Sequence, residues 1–416
     1  MRRIALIDHG HRGRTALVVG LGVTMTALVG IDSPAATGMV RALVVAALTW
    51  ATIAARPVRL RAPAELLFGL IGVIAGAGIG PQHASQSIGS VQSIAGIASL
   101  LSGLVLVALA GLDLVRQLHG WLRLSAIPVA LVALLGIVMP MALAVFVTNA
   151  PDFALGPATP SDHDLDYSAV TVTTDDGVDL AAWYIPSTNG AAVVLLGGAA
   201  GARHDELDHA AVLADNGYGV LMLDVRGHGG SEGDAMLWGW WGEVDVRAGV
   251  DFLSTRAEVR PARIGAVGMS MGGEEAIAAA GADPRITAVV AEGASGRGVR
   301  GEGQDTDGWG GLLVRYFDWT TRHAAEVMTA ATAPTSLSDA VRGMSGRKLL
   351  VIAAGTQQAE IDAAAAMERA APDVVDTWIA RGADHTQAFD SDPGEWERRA
   401  IQFLDSALSA NPATKP

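Results

Sequence analysis

Five apolar stretches occupy the first third of the chain, at roughly 15–31, 39–55, 64–80, 91–112 and 126–148. Each fits a spanning helix of ~17–25 residues, the first three at the lower edge of that range. They predict an all-α transmembrane bundle over residues 1–150. The alternatives are that one short stretch is a buried or re-entrant helix, or that the first is a signal peptide cleaved near Ser33-Pro34-Ala35. A Pro- and Asp-rich linker follows at 151–166, and there the pattern changes. Residues 168–174 and 178–185 flank Asp176-Gly177 and predict a hairpin. Short apolar runs at 192–196, 220–223, 264–267, 287–291 and 349–353 read as strands covered on both faces. A last strand is expected at 374–380. Helical patterns fill 205–215, 243–256, 272–281, 358–371 and 395–409. Such alternation predicts an α/β domain over 167–410, a mostly parallel sheet flanked by helices, before a tail at 411–416.

Charge divides the chain at the same place. Residues 1–150 carry ten arginines and four acids, Asp8, Asp32, Glu65 and Asp113, a net of +6. The remainder carries 19 basic and 39 acidic residues, a net of −20. The whole-chain figures, −14 and 50% hydrophobic, average these two parts. The acidic balance argues against nucleic acid as a partner. With no cysteine in the chain, disulfides, thiolate nucleophiles and cysteine-ligated metals are excluded.

Arginine placement predicts orientation. Arg2, Arg3, Arg12 and Arg14 precede the first stretch, Arg56, Arg59 and Arg61 follow the second, and Arg116 and Arg123 follow the fourth. The N-terminus is therefore expected in the cytoplasm, and five spans place everything after Thr148 outside. Glu65, Asp113 and Arg41 lie near span ends, so no ionisable group marks an intramembrane pathway. Gly72, Gly76 and Gly80 form a small-residue ridge suited to close helix packing, with dimerisation the other use. Trp50 and Trp121 are candidate interfacial anchors.

The sharpest motif is Gly268-Met269-Ser270-Met271-Gly272-Gly273, placed between a predicted strand and a predicted helix. A serine on such a turn is lifted clear of the sheet as a nucleophile elbow, and the helix N-terminus beneath it favours developing negative charge. The alternative is a serine that merely caps the helix. A second motif, Asp224-Val225-Arg226-Gly227-His228-Gly229-Gly230-Ser231, follows the fourth strand.

On these motifs residues 167–410 resemble a serine hydrolase of the α/β-hydrolase fold. The likeness is to the branch of dienelactone-hydrolase-like, prolyl-oligopeptidase-like and serine-aminopeptidase-like enzymes, whose DxRGHGxS pattern the second motif matches. The membrane half has no counterpart in most members.

In this fold one oxyanion donor is the amide after the nucleophile, Met271, and the other comes from the loop after the strand 192–196. Family members often have His-Gly there; here the histidine's place is taken by Gly197. Ala199 is the expected donor, with Gly198 next. The base is expected at His385, in Gly382-Ala383-Asp384-His385 between the last strand and the last helix, where the Ser…acid…His order puts it. His228 is the rival, though its place between glycines suits a structural role with Arg226 pairing locally. The acid departs from the pattern: the expected position is Gln358, which bears no charge. Glu360 is the nearest carboxylate, and Glu292 is the alternative. The insertion 293–347, with Trp309, Tyr316, Phe317 and Trp319, corresponds to the region that often forms a cap in the family. Trp238, Trp240 and Trp241 are expected in an acyl pocket, at the membrane surface or simply in helix packing.

The resulting expectation is a membrane-anchored serine hydrolase acting on a small-molecule acyl substrate, an ester first, with peptides and thioesters as alternatives. No metal or organic cofactor is expected. A non-catalytic, membrane-tethered binding module is the reading from another class.

Overall fold

The computed structural model describes residues 2–30, 35–55, 58–304, 307–329 and 331–409. The tail at 411–416, Arg56, and Ser33-Pro34 of the candidate cleavage site lie outside the described residues. The chain forms two compact units, one of residues 1–151 with 319–328, the other of residues 152–318 with 329–416.

The first unit is helical: α1 (Arg2–Gly30), α2 (Ala35–Ala54), α3 (Val58–Gln86), α4 (Val91–Gln117), α5 (Leu122–Ala133) and α6 (Met139–Thr148). A single π turn, Leu134–Val138, joins α5 and α6 just before Pro140. Among the described residues, three helices are long and apolar enough to cross a membrane: Arg59–Gln86, Val91–Gln117 and Leu122–Thr148. Gly38–Ala54 is a shorter apolar helix, so by these measures the count reaches three rather than the expected five.

Glycine sets how closely α3 meets α4. A Cβ on Gly76 would overlap the backbone of Gly96 and Leu100, and one on Gly80 would overlap Gly96 and Ile97. The ridge is thus occupied inside the chain, where backbone-to-backbone approach maximises packing without a hydrophobic drive between helices. It is not left over for a dimer. Replacing Gly76 with leucine is expected to push α3 and α4 apart, costing about 1–3 kcal/mol or more of overpacking. A lowered Tm of the detergent-solubilised protein checks this. At the helix ends, Arg14 of α1 reaches both Glu65 of α3 and Asp113 of α4 at 2.8 Å. Two of the charges expected near span ends, Glu65 and Asp113, are therefore paired with one arginine.

The second unit is built on eight strands: β1 (Ser168–Thr173), β2 (Asp179–Ile185), β3 (Ala192–Leu196), β4 (Gly219–Leu223), β5 (Ile264–Met269), β6 (Ile286–Glu292), β7 (Lys348–Ala354) and β8 (Val375–Ala380). Their order is β1-β2-β4-β3-β5-β6-β7-β8. Only β2 runs antiparallel, to β1 and β4; the remaining pairs are parallel. Gly177 sits at φ 83° in the β1–β2 turn, which is why the hairpin signal is Asp-Gly.

Helices α7 (Leu207–Asp215), α8 (Gly242–Ser254), α9 (Met271–Ala282), α12 (Gln358–Ala370) and α14 (Pro393–Ser409) pack on the two faces, and α10 (Gly308–Thr329), α11 (Leu337–Arg342) and α13 (Ala388–Ser391) complete the helices of this half. Strand alternation divides the core in two. Val194 and Leu196 face the cluster packed with α8, α9 and α12, while Val193 and Leu195 face the one packed with α7 and α14. Every residue of β3 is buried, so the run must be apolar throughout. This is the α/β-hydrolase fold.

The insertion 293–347 contains two helices, and the 22-residue α10 is the longest of the second half of the chain.

Candidate active site

The ends of β5, β7 and β8 carry the site. Ser270 follows β5 and opens α9 at φ 52°, ψ −119°, a conformation that costs of order 1–3 kcal/mol and persists only where surroundings enforce it. They do so here by close approach. A Cβ on Gly268 would overlap the backbone of Gly272, and one on Gly272 would overlap Leu196 and the carbonyl of Gly197. The Ser270 amide donates to the Glu292 carbonyl at 2.7 Å, tying the turn to β6.

His385 reaches this serine from the loop after β8. Its Nε2 lies 2.9 Å from Ser270 Oγ, and its Nδ1 lies 2.7 Å from Glu360 Oε1. A carboxylate only accepts, so Nδ1 must carry the hydrogen and the Nε2 lone pair is left for the serine O–H. The Glu360 hydrogen bond holds the His385 pKa above its ordinary value, against burial, which pulls it down. Glu360 lies in the first turn of α12, is 2% exposed, and takes the Ala354 amide on its other oxygen at 2.7 Å. It thus supplies the carboxylate that Gln358 lacks. Gln358 itself points away, to Asp362.

Glu292 is not at the histidine. Its oxygens accept from the Ala388 amide at 2.8 Å and the Trp396 indole at 2.9 Å, and burial raises its pKa. That arrangement fixes the chain three residues beyond His385. Asp384, beside the histidine in sequence, is turned outward; it accepts from the Gln357 side chain, and its pKa is lowered by hydrogen bonds, the His385 amide first.

Gly198 faces the serine, since a Cβ there would stand 3.6 Å from Ser270 Cβ. Ala199 is next along the same turn. Met271 is the first residue of α9, one of four positions whose amide has no partner within a helix. These are the three residues expected to offer oxyanion donors, and of them Met271 and Gly198 lie next to Ser270, one in the chain and one across it.

His228 is clear of the serine. Nδ1 lies 3.0 Å from the Arg226 carbonyl, Nε2 3.1 Å from the Ala199 carbonyl, and the ring stacks on Phe153. It ties the DxRGHGxS turn to the loop that carries Ala199. Arg226 pairs with Asp245 at 2.6 Å and Asp176 at 2.8 Å. Asp224 accepts from the Arg203 side chain and from the Arg203 and Gly230 amides. Trp240 is buried and stacked on Trp238, while Trp241 lies under the Arg226 guanidinium, so this cluster packs the turn.

One contributor was not singled out by sequence: Glu274, in the first turn of α9. It is buried, and burial raises its pKa; it accepts from the amides of Ser295 at 2.9 Å and Gly296 at 2.7 Å. It pins the loop after β6, where a Cβ on Gly293 would press on the His385 ring. Two adjacent carboxylates, Glu274 and Glu275, in a helix otherwise made of small and apolar residues were the available signal. Among the described residues no group of three or more His, Asp or Glu could hold a metal ion.

Residues 187–365 match the family model described as serine aminopeptidase, S33. A Mycobacterium tuberculosis protein is 37% identical over 124 residues, which is 29% of this chain and 43% of that protein. An alpha/beta hydrolase domain-containing protein of Arabidopsis thaliana is 32% identical over 121 residues, 28% of this chain and 39% of its own length. The chain therefore spans less than half the length of these curated relatives. A solved esterase of Pyrococcus furiosus superposes with TM-score 0.50 at 23% identity, covering 63% of this chain and 98% of that one. Sheet order, elbow turn and these likenesses agree that the C-terminal half has the α/β-hydrolase fold, with residues 187–365 similar to the serine aminopeptidase family.

Proposed function

We propose that this protein is a membrane-anchored serine hydrolase that cleaves an acyl bond, a carboxylic ester first, through an acyl-enzyme. One observation carries the reading: the continuous line from Ser270 Oγ through His385 to Glu360, with steps of 2.9 and 2.7 Å. Ser270 Oγ bonds to the substrate's carbonyl carbon as its proton passes to His385 Nε2. The carbonyl electron pair moves onto oxygen, where the amides of Met271 and of Ala199 or Gly198 receive it. Collapse expels the leaving alkoxide, which takes the proton from His385 and departs as the alcohol. Water then attacks the acyl-enzyme, giving its proton to His385, and the second collapse returns a proton to Ser270 and releases the acid. Glu360 orients the His385 ring and stabilises the imidazolium that forms.

Esters come first because an alkoxide leaves more readily than an amine. The serine aminopeptidase match favours peptides as the second reading. Turnover of soluble acyl esters, aminoacyl anilides and acyl thioesters by the detergent-solubilised chain separates them. Ester hydrolysis at the highest kcat/KM is expected, and anilide hydrolysis above it would make the protein a peptidase. Absence of turnover in all three classes by folded protein would favour the binding module.

For topology the proposal is five spans, with the N-terminus cytoplasmic and the catalytic domain extracytoplasmic. The arginine placement supports it. Protease added to intact cells should release the C-terminal half; protection of that half while a control is cut would overturn it.

A further inference from the structure

A folded soluble domain scatters its exposed apolar side chains, and a contiguous patch marks a surface that meets something. Among the described residues outside 1–151, the exposed large hydrophobic ones are Trp309, Leu312, Leu313, Val314, Tyr316, Trp319, Val327 and Ile379. All but Ile379 lie on α10, Gly308–Thr329. At 3.6 residues per turn, Trp309, Leu312, Leu313, Trp319 and Val327 fall within an arc of about 120°. Trp309 is 84% exposed and Val327 87%. The opposite side of the helix is inward, with Gly311, Thr321 and Ala325 buried.

We infer that α10 lies in a membrane–water interface, with its Trp309–Leu313–Trp319–Val327 face in the acyl boundary of a lipid bilayer. The inference rests on the membrane reading of residues 1–150. Two observations single out lipid as the occupant. The same chain carries three helices long and apolar enough to cross a membrane. Residues 319–328 of α10 also belong to the same compact unit as those helices. The composition of the face agrees: two tryptophans, Tyr316 and aliphatic residues, with Thr320 and His323 as its polar members and His323 lying against the Trp319 ring, suit the headgroup–acyl boundary. An interfacial helix buries its apolar face ~5–10 Å into that boundary.

The absence of cysteine makes the test direct. Single cysteines replace Leu313, Val327, Leu104 on α4 and Asp376 on β8 in the full chain, each is spin-labelled, and the proteins are reconstituted in phosphatidylcholine–phosphatidylglycerol vesicles. Collision with oxygen, which concentrates in lipid, is compared with collision with a water-soluble nickel complex. Labels at 313 and 327 should favour oxygen, as the label at 104 does, while the label at 376 favours nickel. If 104 favours oxygen but 313 and 327 match 376, α10 is in water and the inference is overturned while the membrane reading stands. If 313 and 327 are shielded from both reagents, a protein surface covers the face and the inference also fails. If 104 itself favours nickel, the membrane reading fails and takes the inference with it.

Discussion

Replacing His385 with alanine is expected to lower ester hydrolysis by about 10⁴–10⁶-fold, with the fold intact. The size follows from what the imidazole does. It removes the serine proton, protonates the leaving group and activates water, and no other described side chain is hydrogen-bonded to Ser270 Oγ to take over. Activity left in the variant would come from substrate binding and the oxyanion amides alone. The fold should survive because His385 is a loop residue whose side chain is 47% exposed. Equal Tm for the variant and the wild type, with loss confined to turnover, checks both parts. His228→Phe is the informative contrast: it keeps Ser270 and His385 and removes the ring nitrogen beside the Ala199 carbonyl. Its loss should be smaller than that of His385→Ala.

The second large effect is expected at Glu360. Changing it to glutamine keeps the shape and removes the charge, with a loss in kcat of about 10⁴-fold. The pH profile distinguishes this from simple damage. His385 must be neutral to accept the serine proton, so wild-type activity falls as pH drops through the raised His385 pKa. The Glu360 hydrogen bond is the largest cause of that elevation. In Glu360→Gln the acidic limb should therefore move to lower pH while the plateau falls. A profile of unchanged midpoint would mean that Glu360 does not control the histidine. Glu292→Gln should move the midpoint in the same direction but far less, because the Glu292 charge is the smallest of the causes that raise the His385 pKa. Its cost is stability, about 1–3 kcal/mol, because the Ala388 amide and the Trp396 indole both depend on that carboxylate.

The parts of this molecule that depend on short-range pattern were readable in its sequence. Each residue of β3 is buried, which demands an unbroken apolar run, and the run is visible as such. The elbow is readable because a serine at φ 52° between crowded backbones tolerates only glycine at 268 and 272. The acid was harder. The chain enters α12 at Gln358, and only the placement of that first turn shows that a glutamate at 360 reaches back to His385. The partner of the α3 glycines was also hidden: a ridge announces close packing but not whether the other helix is α4 or a second chain. The insertion gave its aromatic residues without their periodicity being recognised. Read at 3.6 residues per turn they form one face of α10, and its exposure becomes apparent only once the opposite face is seen to be buried.

The central claim is that Ser270 is an activated nucleophile, and a fluorophosphonate probe reads that property without knowledge of the substrate. Full-length protein in detergent, wild type and the Ser270→Ala and His385→Ala variants, is exposed to the probe, and the adduct is located by peptide mass analysis. The account predicts one adduct per wild-type chain, on Ser270, with none on Ser270→Ala and strongly slowed labelling of His385→Ala. A folded wild-type protein that takes up no probe, or a Ser270→Ala variant labelled as fast as the wild type, would contradict it.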